Sequence, residues 1–348
     1  MKLGQAFDPR HNALNLWRLI LATGVIFWHS FPLTGNTIDF QPAVRLLSEL
    51  WVDGFFTVSG FLITASWMRR PHLGEYWRAR FLRIFPGLWV CVAVTAFVIA
   101  PIAAAVKHSS LPLSAEFAYV VNNGLLNVFY AGINGTPKDI PWPGVWNGSL
   151  WTLVFELLCY IAVCVLGVLG LLKRQWVLPT LFVASAVWSA YVSYPTMAQQ
   201  SIPQMLARFA VVFLAGALIH QYRDAIPAHW SLVALCGVIV IASGFAQNYR
   251  LIAALPLAYA IIVSGALVRR FPLRNDISYG MYIYAFPVQQ LLATLGLVSL
   301  HPTVFFLVAA LCTIPLAAAS WFVVEKRAMA LKHPKRQQVA AGTSSHPK

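Results

Sequence analysis

Acidic residues are scarce in this chain. Asp and Glu number 11 of 348 residues against 25 Lys and Arg, and all charged residues together make up 10%. Soluble domains carry roughly 25% charged residues, so a surface wetted on all sides is excluded. Long polar stretches are missing too. The widest gap between apolar runs, Lys107–Gly148, is rich in Pro, Gly and Asn; it has room for one short surface helix but not for a soluble domain. The five cysteines (Cys91, Cys159, Cys164, Cys236, Cys312) all fall inside apolar runs and lack metal-ligand spacing. An odd count in hydrocarbon excludes a disulfide framework and leaves them as small packing residues. No small-residue cleavage site follows the first apolar run, so it is not expected to be a removable signal peptide.

Hydrocarbon is what the chain has in quantity. Apolar residues make up 59% and the mean hydropathy is +0.68. Runs such as Leu88–Val106, Leu150–Leu172, Val177–Tyr194 and Val304–Val324 reach the ~20 residues that cross a bilayer core. The expected fold is an all-α polytopic transmembrane bundle of about ten spans, near 14–34, 50–68, 86–106, 149–172, 176–194, 204–222, 229–247, 250–268, 280–298 and 303–324. The boundaries of the sixth to eighth are blurred by Pro203, Pro227 and Pro256.

Charge sets the orientation. With the N-terminus inside, the inner ends receive Lys2, Arg10, Arg69, Arg70, Arg78, Arg80, Arg83, Lys173, Arg174, Arg223, Arg269, Arg270 and Arg274. The outer ends receive Arg45, Lys107, Lys138, Arg208 and Arg250. This asymmetry is what the positive-inside rule demands and places both termini in the cytoplasm. Residues 1–324 then form one transmembrane domain, and 325–348 a basic, disordered tail that touches anionic headgroups. Because the cations sit at span ends rather than along one face, the net charge of +14 does not indicate nucleic acid.

Ionisable groups inside a span each cost a few kcal/mol and so mark function by default. Arg18 and His29 share the first span; eleven residues at ~100° each put them on one face, ~16 Å apart. Snorkelling of Arg18 to the headgroups and a hydrogen bond from His29 to a neighbouring helix are the structural alternatives. Glu156 lies in the fourth span at a depth similar to that of His29, so an imidazole–carboxylate pair is expected, either catalytic or tying two helices together. Asp53 sits near the outer end of the second span, where it can cap the helix. Gly60 suits close packing, and Ser59 is left open. Arg80 and Arg83, three residues apart, share a helical face among Trp77, Phe81, Ile84 and Phe85. They suit a phosphorylated cytosolic ligand as well as a topology signal. Tyr279, Tyr282 and Tyr284 fit an interfacial aromatic belt. Of Gln289 and Gln290, at least one must face protein.

Five segments resemble the acyltransferase-3 family of polytopic membrane O-acyltransferases, which includes O-antigen and exopolysaccharide O-acetylases. They are the Arg18–His29 pair with ten residues between, FFTVSGFLIT (Phe55–Thr64), RFLR (Arg80–Arg83), GSLWTLVFE (Gly148–Glu156) and SYGMYIYAFPVQQ (Ser278–Gln290). They follow the family's order over roughly residues 14–324. The sequence departs from it at Ala285, where many members have histidine, and at Leu157, where many have a second acid, so neither position is essential in those forms. The resemblance implies a bacterial inner-membrane enzyme that takes an acyl group, acetyl above all, from cytoplasmic acyl-CoA. The acceptor would be a hydroxyl of a glycan or glycolipid at the outer face. It implies no permanently bound cofactor; acyl-CoA is a co-substrate. His29 would be the general base or be acylated itself, with Glu156 orienting the imidazole or the acceptor. Arg18, Arg80, Arg83 and Arg69 would hold the donor, and Asp53, Ser59, Trp151, Tyr279, Tyr282 and Gln289 are candidates to line the cavity. A transporter or flippase for a glycan or small metabolite would also place charge in a central pathway. Such proteins usually show internal repeats, and no convincing repeat relates the two halves of this chain.

Overall fold

The computed structural model describes residues 1–127, 130–192, 201–269, 273 and 275–332. Arg270, Arg274 and the end of the basic tail fall outside these. A one-turn helix, Leu3–Ala6, precedes α1 (Leu14–Leu33) and α2 (Gln41–Arg69). α3 runs from Leu73 to Val94 and continues through a π-helical turn, Thr95–Ile99, to Ala100–Val106. The short helix expected in the polar gap is α4 (Leu113–Gly124). Then come α5 (Thr152–Val168), α6 (Val177–Tyr191), α7 (Ile202–Gln221), α8 (Trp230–Ser243), α9 (Arg250–Leu267) and α10 (Ser278–Thr294). α11 (Pro302–Ala319) continues through a second π-helical turn, Ser320–Glu325, to Lys326–Ala330. The last helix thus carries regular structure six residues past the expected domain end at 324.

Among the described residues six helices are long and apolar enough to cross a membrane: α1, α2, α3, α7, α9 and α11 with its extension. α5, α6 and α8 are shorter apolar helices. α10 is different in kind. Its sequence is the most polar of the late helices, and 16 of its 17 residues are buried. It packs between α1 and α11 and meets protein on all sides, so its polar side chains are spent on neighbours rather than on lipid.

Two expected starts were too late. α2 begins at Gln41 rather than 50, and α3 at Leu73 rather than 86, so the helical face expected for Arg80 and Arg83 belongs to the opening of α3. The early start of α2 is explained by where its acids go. Asp53 does not cap a helix: it lies in mid-helix with no exposed surface. One carboxylate oxygen accepts from Arg208 Nε at 3.1 Å, and the other from Arg250 Nε at 2.6 Å and from the Tyr249 hydroxyl. Glu49, one turn earlier, pairs with Arg250 and at 3.9 Å with Arg208. Arg208 and Arg250 are therefore buried partners of α2 and not interfacial charges. A buried carboxylate is tolerable only when so paired and hydrogen-bonded. The cluster ties α2 to α7 and α9. Further along the α2–α7 crossing the backbones touch: a Cβ on Gly60 would collide with the Phe213 carbonyl, and one on Gly216 with the Thr57 carbonyl.

α5 is short because the residues before it are not helical. Residues 141–151 form an irregular strap that runs down α10 inside the bundle. Gln290 Nε2 donates to the Trp142 and Val145 carbonyls at 2.9 and 2.6 Å. Deeper, Asn147 Nδ2 donates to the Ile283 carbonyl at 2.8 Å. That carbonyl is free because its helical partner would be the N–H of residue 287, and residue 287 is proline. Irregular backbone at membrane depth persists only where protein or a water-filled cavity surrounds it. The strap meets this condition, with Trp146 and Leu150 fully buried.

Candidate active site

A cavity of about 420 Å³ opens at the end of the bundle where α1 begins. Arg18 from α1, Arg69 from α2, and Arg80 and Arg83 from α3 line it, and Lys332 joins them from the turn after α11. Asp276, just ahead of α10, organises two of these cations. Its Oδ2 accepts from Arg83 Nη2 at 2.7 Å and from Arg18 Nη1, and its Oδ1 accepts from the Ser278 N–H at 3.2 Å. Burial raises the Asp276 pKa, but Arg18 and Arg83 outweigh this and bring it down to about 2. Burial, and then repulsion from Arg80, Arg83 and Arg18, lowers Lys332 to about 8.

Arg80 is less committed. One Nη donates to Ser66 Oγ at 3.3 Å, the guanidinium carbon sits 5.5 and 5.7 Å from the Tyr76 and Tyr160 ring centres, and the buried Nε has no protein partner. Five cations thus face the two carboxylates among the lining residues, Asp276 and Glu156.

Deeper in, the cavity loses its cations. Glu156 Oε1 accepts from the Tyr160 hydroxyl and from Ser59 Oγ at 3.4 Å. Phe55, Thr152 and Tyr282 line this end, and the Thr152 and Tyr282 hydroxyls are 2.6 Å apart. Tyr279, whose hydroxyl donates to the Ile84 carbonyl at 2.9 Å, also lines the cavity. The tyrosines of α10 are buried in the bundle and do not form an interfacial belt.

His29 lies in a separate layer. Its ring meets Phe286 edge-on at 5.0 Å and Trp142 of the strap at 6.1 Å. Gly148 lets the strap this close, since a Cβ there would stand 2.6 Å from the Phe286 ring. In its neutral form the ring keeps one nitrogen as a hydrogen-bond acceptor. His29 is not among the residues lining the cationic cavity. Phe286 is one turn above Tyr282, and Glu156 one turn below Thr152, so the two layers are ~12 Å apart along the bundle. The expected pair is therefore not formed: Glu156 serves Tyr160 and Ser59 and does not orient the imidazole.

Three other candidates also lie outside the cavity. Asp53 is in the ion cluster. Trp151 packs on Phe155 and Phe209, and Gln289 donates to the Ile26 carbonyl and Ser30 Oγ, both at 3.0 Å.

Comparison with known proteins bears on this arrangement. The family model described as "Acyltransferase domain" matches residues 11–322. The chain belongs to the acyltransferase-3 family. The protein named "O-acetyl transferase" from Shigella phage Sf6 is 28% identical over 346 residues, covering 94% of this chain and 98% of its own length. "Nodulation protein 10" from Rhizobium leguminosarum bv. viciae is 28% identical over 363 residues, covering 92% and 94%. No solved structure matches. Membership makes this chain an O-acyltransferase with membrane helices.

The candidate site contains residues that sequence reasoning passed over. Asp276 had a visible signal, being one of only 11 acids and lying next to the Ser-Tyr-Gly segment. Tyr160 follows Glu156 by one helical turn. Trp142 and Lys332 gave no local signal, because the strap and the last helical extension bring them in from elsewhere.

Proposed function

We propose that this protein transfers an acyl group, acetyl above all, from cytoplasmic acyl-CoA to a carbohydrate hydroxyl presented from the opposite face of a bacterial inner membrane. The observation that carries the reading is the cavity's excess of cations, graded toward an inner end without them. Coenzyme A carries its phosphates at one end and its thiol at the other, on a neutral pantetheine arm. Arg69, Arg80 and Lys332 would take phosphate oxygens, and guanidinium forks do so bidentately. Arg18 and Arg83, tied to Asp276, would flank the arm. The thioester would then lie beyond Glu156, against Ser59, Thr152 and Tyr282.

His29 acts from the other side. Its free ring nitrogen takes the proton of the acceptor hydroxyl as that oxygen attacks the thioester carbonyl. The C–S bond breaks, the ester forms, and the thiolate leaves with the proton. General-base help of this kind is worth ~10²–10⁴ in rate. The acyl end of the thioester must therefore reach past the Thr152–Tyr282 pair before the acceptor oxygen can attack it beside His29.

Mass spectrometry of envelope glycans from cells with and without the gene tests the reading. An acyl mass difference is expected, lost in His29→Ala while the protein stays folded in the membrane and still binds acyl-CoA. Unchanged glycans in the His29→Ala strain would sink the catalytic role.

A further inference from the structure

At the far end of α1 from the arginines lies a second, unassigned cavity of about 380 Å³, within the roughly 300–1,000 Å³ of small-ligand sites. Its floor is aromatic, with Trp28 and Phe31 from the last turns of α1. Its rim is polar, with Asn36, Thr37 and Asp39 from the linker and Gln41 opening α2. From Arg18 to Phe31 is ~20 Å along the helix, so this cavity and the cationic one serve opposite ends of the bundle. Trp28, its deepest lining residue on α1, directly precedes His29 in the sequence.

Its chemistry is specific. The side chains of Thr37, Asp39 and Gln41 have no protein partner among the described residues, so a carboxylate, a hydroxyl and an amide remain available. Pro32 supplies no N–H to the Trp28 carbonyl, which adds a backbone acceptor. The walls are held in place: Arg45 donates to the Gly244 and Ala246 carbonyls at 3.3 and 3.1 Å, which anchors the first turn of α2. Asn36 donates to Thr34 Oγ1 at 2.9 Å, which holds the linker.

We infer that this cavity is a binding subsite for a neutral sugar ring, stacked on Trp28 and Phe31 through its C–H face, with vicinal hydroxyls donating to Asp39. Aromatic rings give such a ligand rigid apolar contact, and a carboxylate accepting from hydroxyls makes the stronger, charge-assisted kind of bond. The same carboxylate opposes an acidic sugar by like-charge repulsion. This assignment rests on the acyltransfer reading above only for its role, as the place that holds the acceptor; the binding itself does not depend on it.

Titration calorimetry of the full chain in lipid nanodiscs, with methyl glycosides of neutral hexoses and with methyl glucuronide, tests it. Saturable binding of at least one neutral glycoside is expected, with glucuronide weaker. Affinity should fall roughly tenfold or more (about 1.4 kcal/mol) in Trp28→Ala and in Asp39→Ala, while both variants keep wild-type affinity for acyl-CoA. Absence of saturable binding by every neutral glycoside, or equal affinity in the variants, overturns the subsite. If the glycosides bind as expected but Arg83→Ala leaves acyl-CoA binding unchanged, the donor reading fails and the sugar subsite stands.

Discussion

Thr152 and Tyr282 share a 2.6 Å hydrogen bond at the inner end of the cationic cavity, between the layer of Glu156 and the layer of His29. The bond joins α5 to α10 where the strap becomes helix. Tyr282→Phe removes it and keeps the ring. Thr152 would still donate to the Ser149 carbonyl at 3.2 Å, so the stability cost is expected near 1 kcal/mol. Water would then gain access to the thioester. Acceptor-independent thiol release from acyl-CoA should exceed wild type, and a thiol-reactive dye measures it.

Asp276 predicts an acid limit. Its pKa, brought from the ordinary 3.8 down to about 2, means that its charge contributes stability above pH 4. The contribution, on the order of 2 kcal/mol, is lost as the pH falls toward 2. Unfolding temperatures in detergent between pH 5 and 2 should drop steeply for the wild type. They should drop less for Asp276→Asn, which is also weaker at neutral pH because Arg18 and Arg83 then face each other without a shared anion.

Lys332 predicts an alkaline limit on donor binding. With its pKa lowered to about 8, the ammonium loses its proton as the pH rises past 8 and the cavity loses one cation. The wild-type KM for acyl-CoA should climb between pH 7 and 9. Lys332→Gln should start from a higher KM and stay flat across the same range. Steady-state kinetics at fixed acceptor concentration separates the two profiles.

Gly216→Leu tests the helix crossing. Its side chain would enter the Thr57 backbone, and overpacking of a close contact costs ~1–3 kcal/mol or more. Thermal unfolding in detergent should show the loss. Gly237→Leu, where nothing lies within 4 Å, should leave the melting point near that of the wild type.

Helices were legible because hydrocarbon demands long apolar runs, and the arginine face on α3 was legible because residues three apart share a side. What could not be read was pairing across the chain. Glu49 and Asp53 are balanced by Arg208 and Arg250, more than 150 residues away, so charges that look interfacial along the sequence are interior in space. Depth also failed for Glu156. It was counted from a presumed helix start at 149, but the residues before Thr152 descend as irregular chain, and carry Glu156 below the layer of His29. The apolar run alone holds no sign of this. The sign is Pro287, in another helix, whose missing N–H makes a place for Asn147.

The strap also divides the labour of change. A continuous helix in its place would fill the upper bundle with side chains and seal His29 beneath them. Irregular peptide hung on Gln290 and Asn147 can be lengthened, shortened or rewritten without moving the arginines that open at the other end. On the proposed reading, changes within residues 35–41 and 141–151 would alter acceptor preference and leave the arginine end as it is.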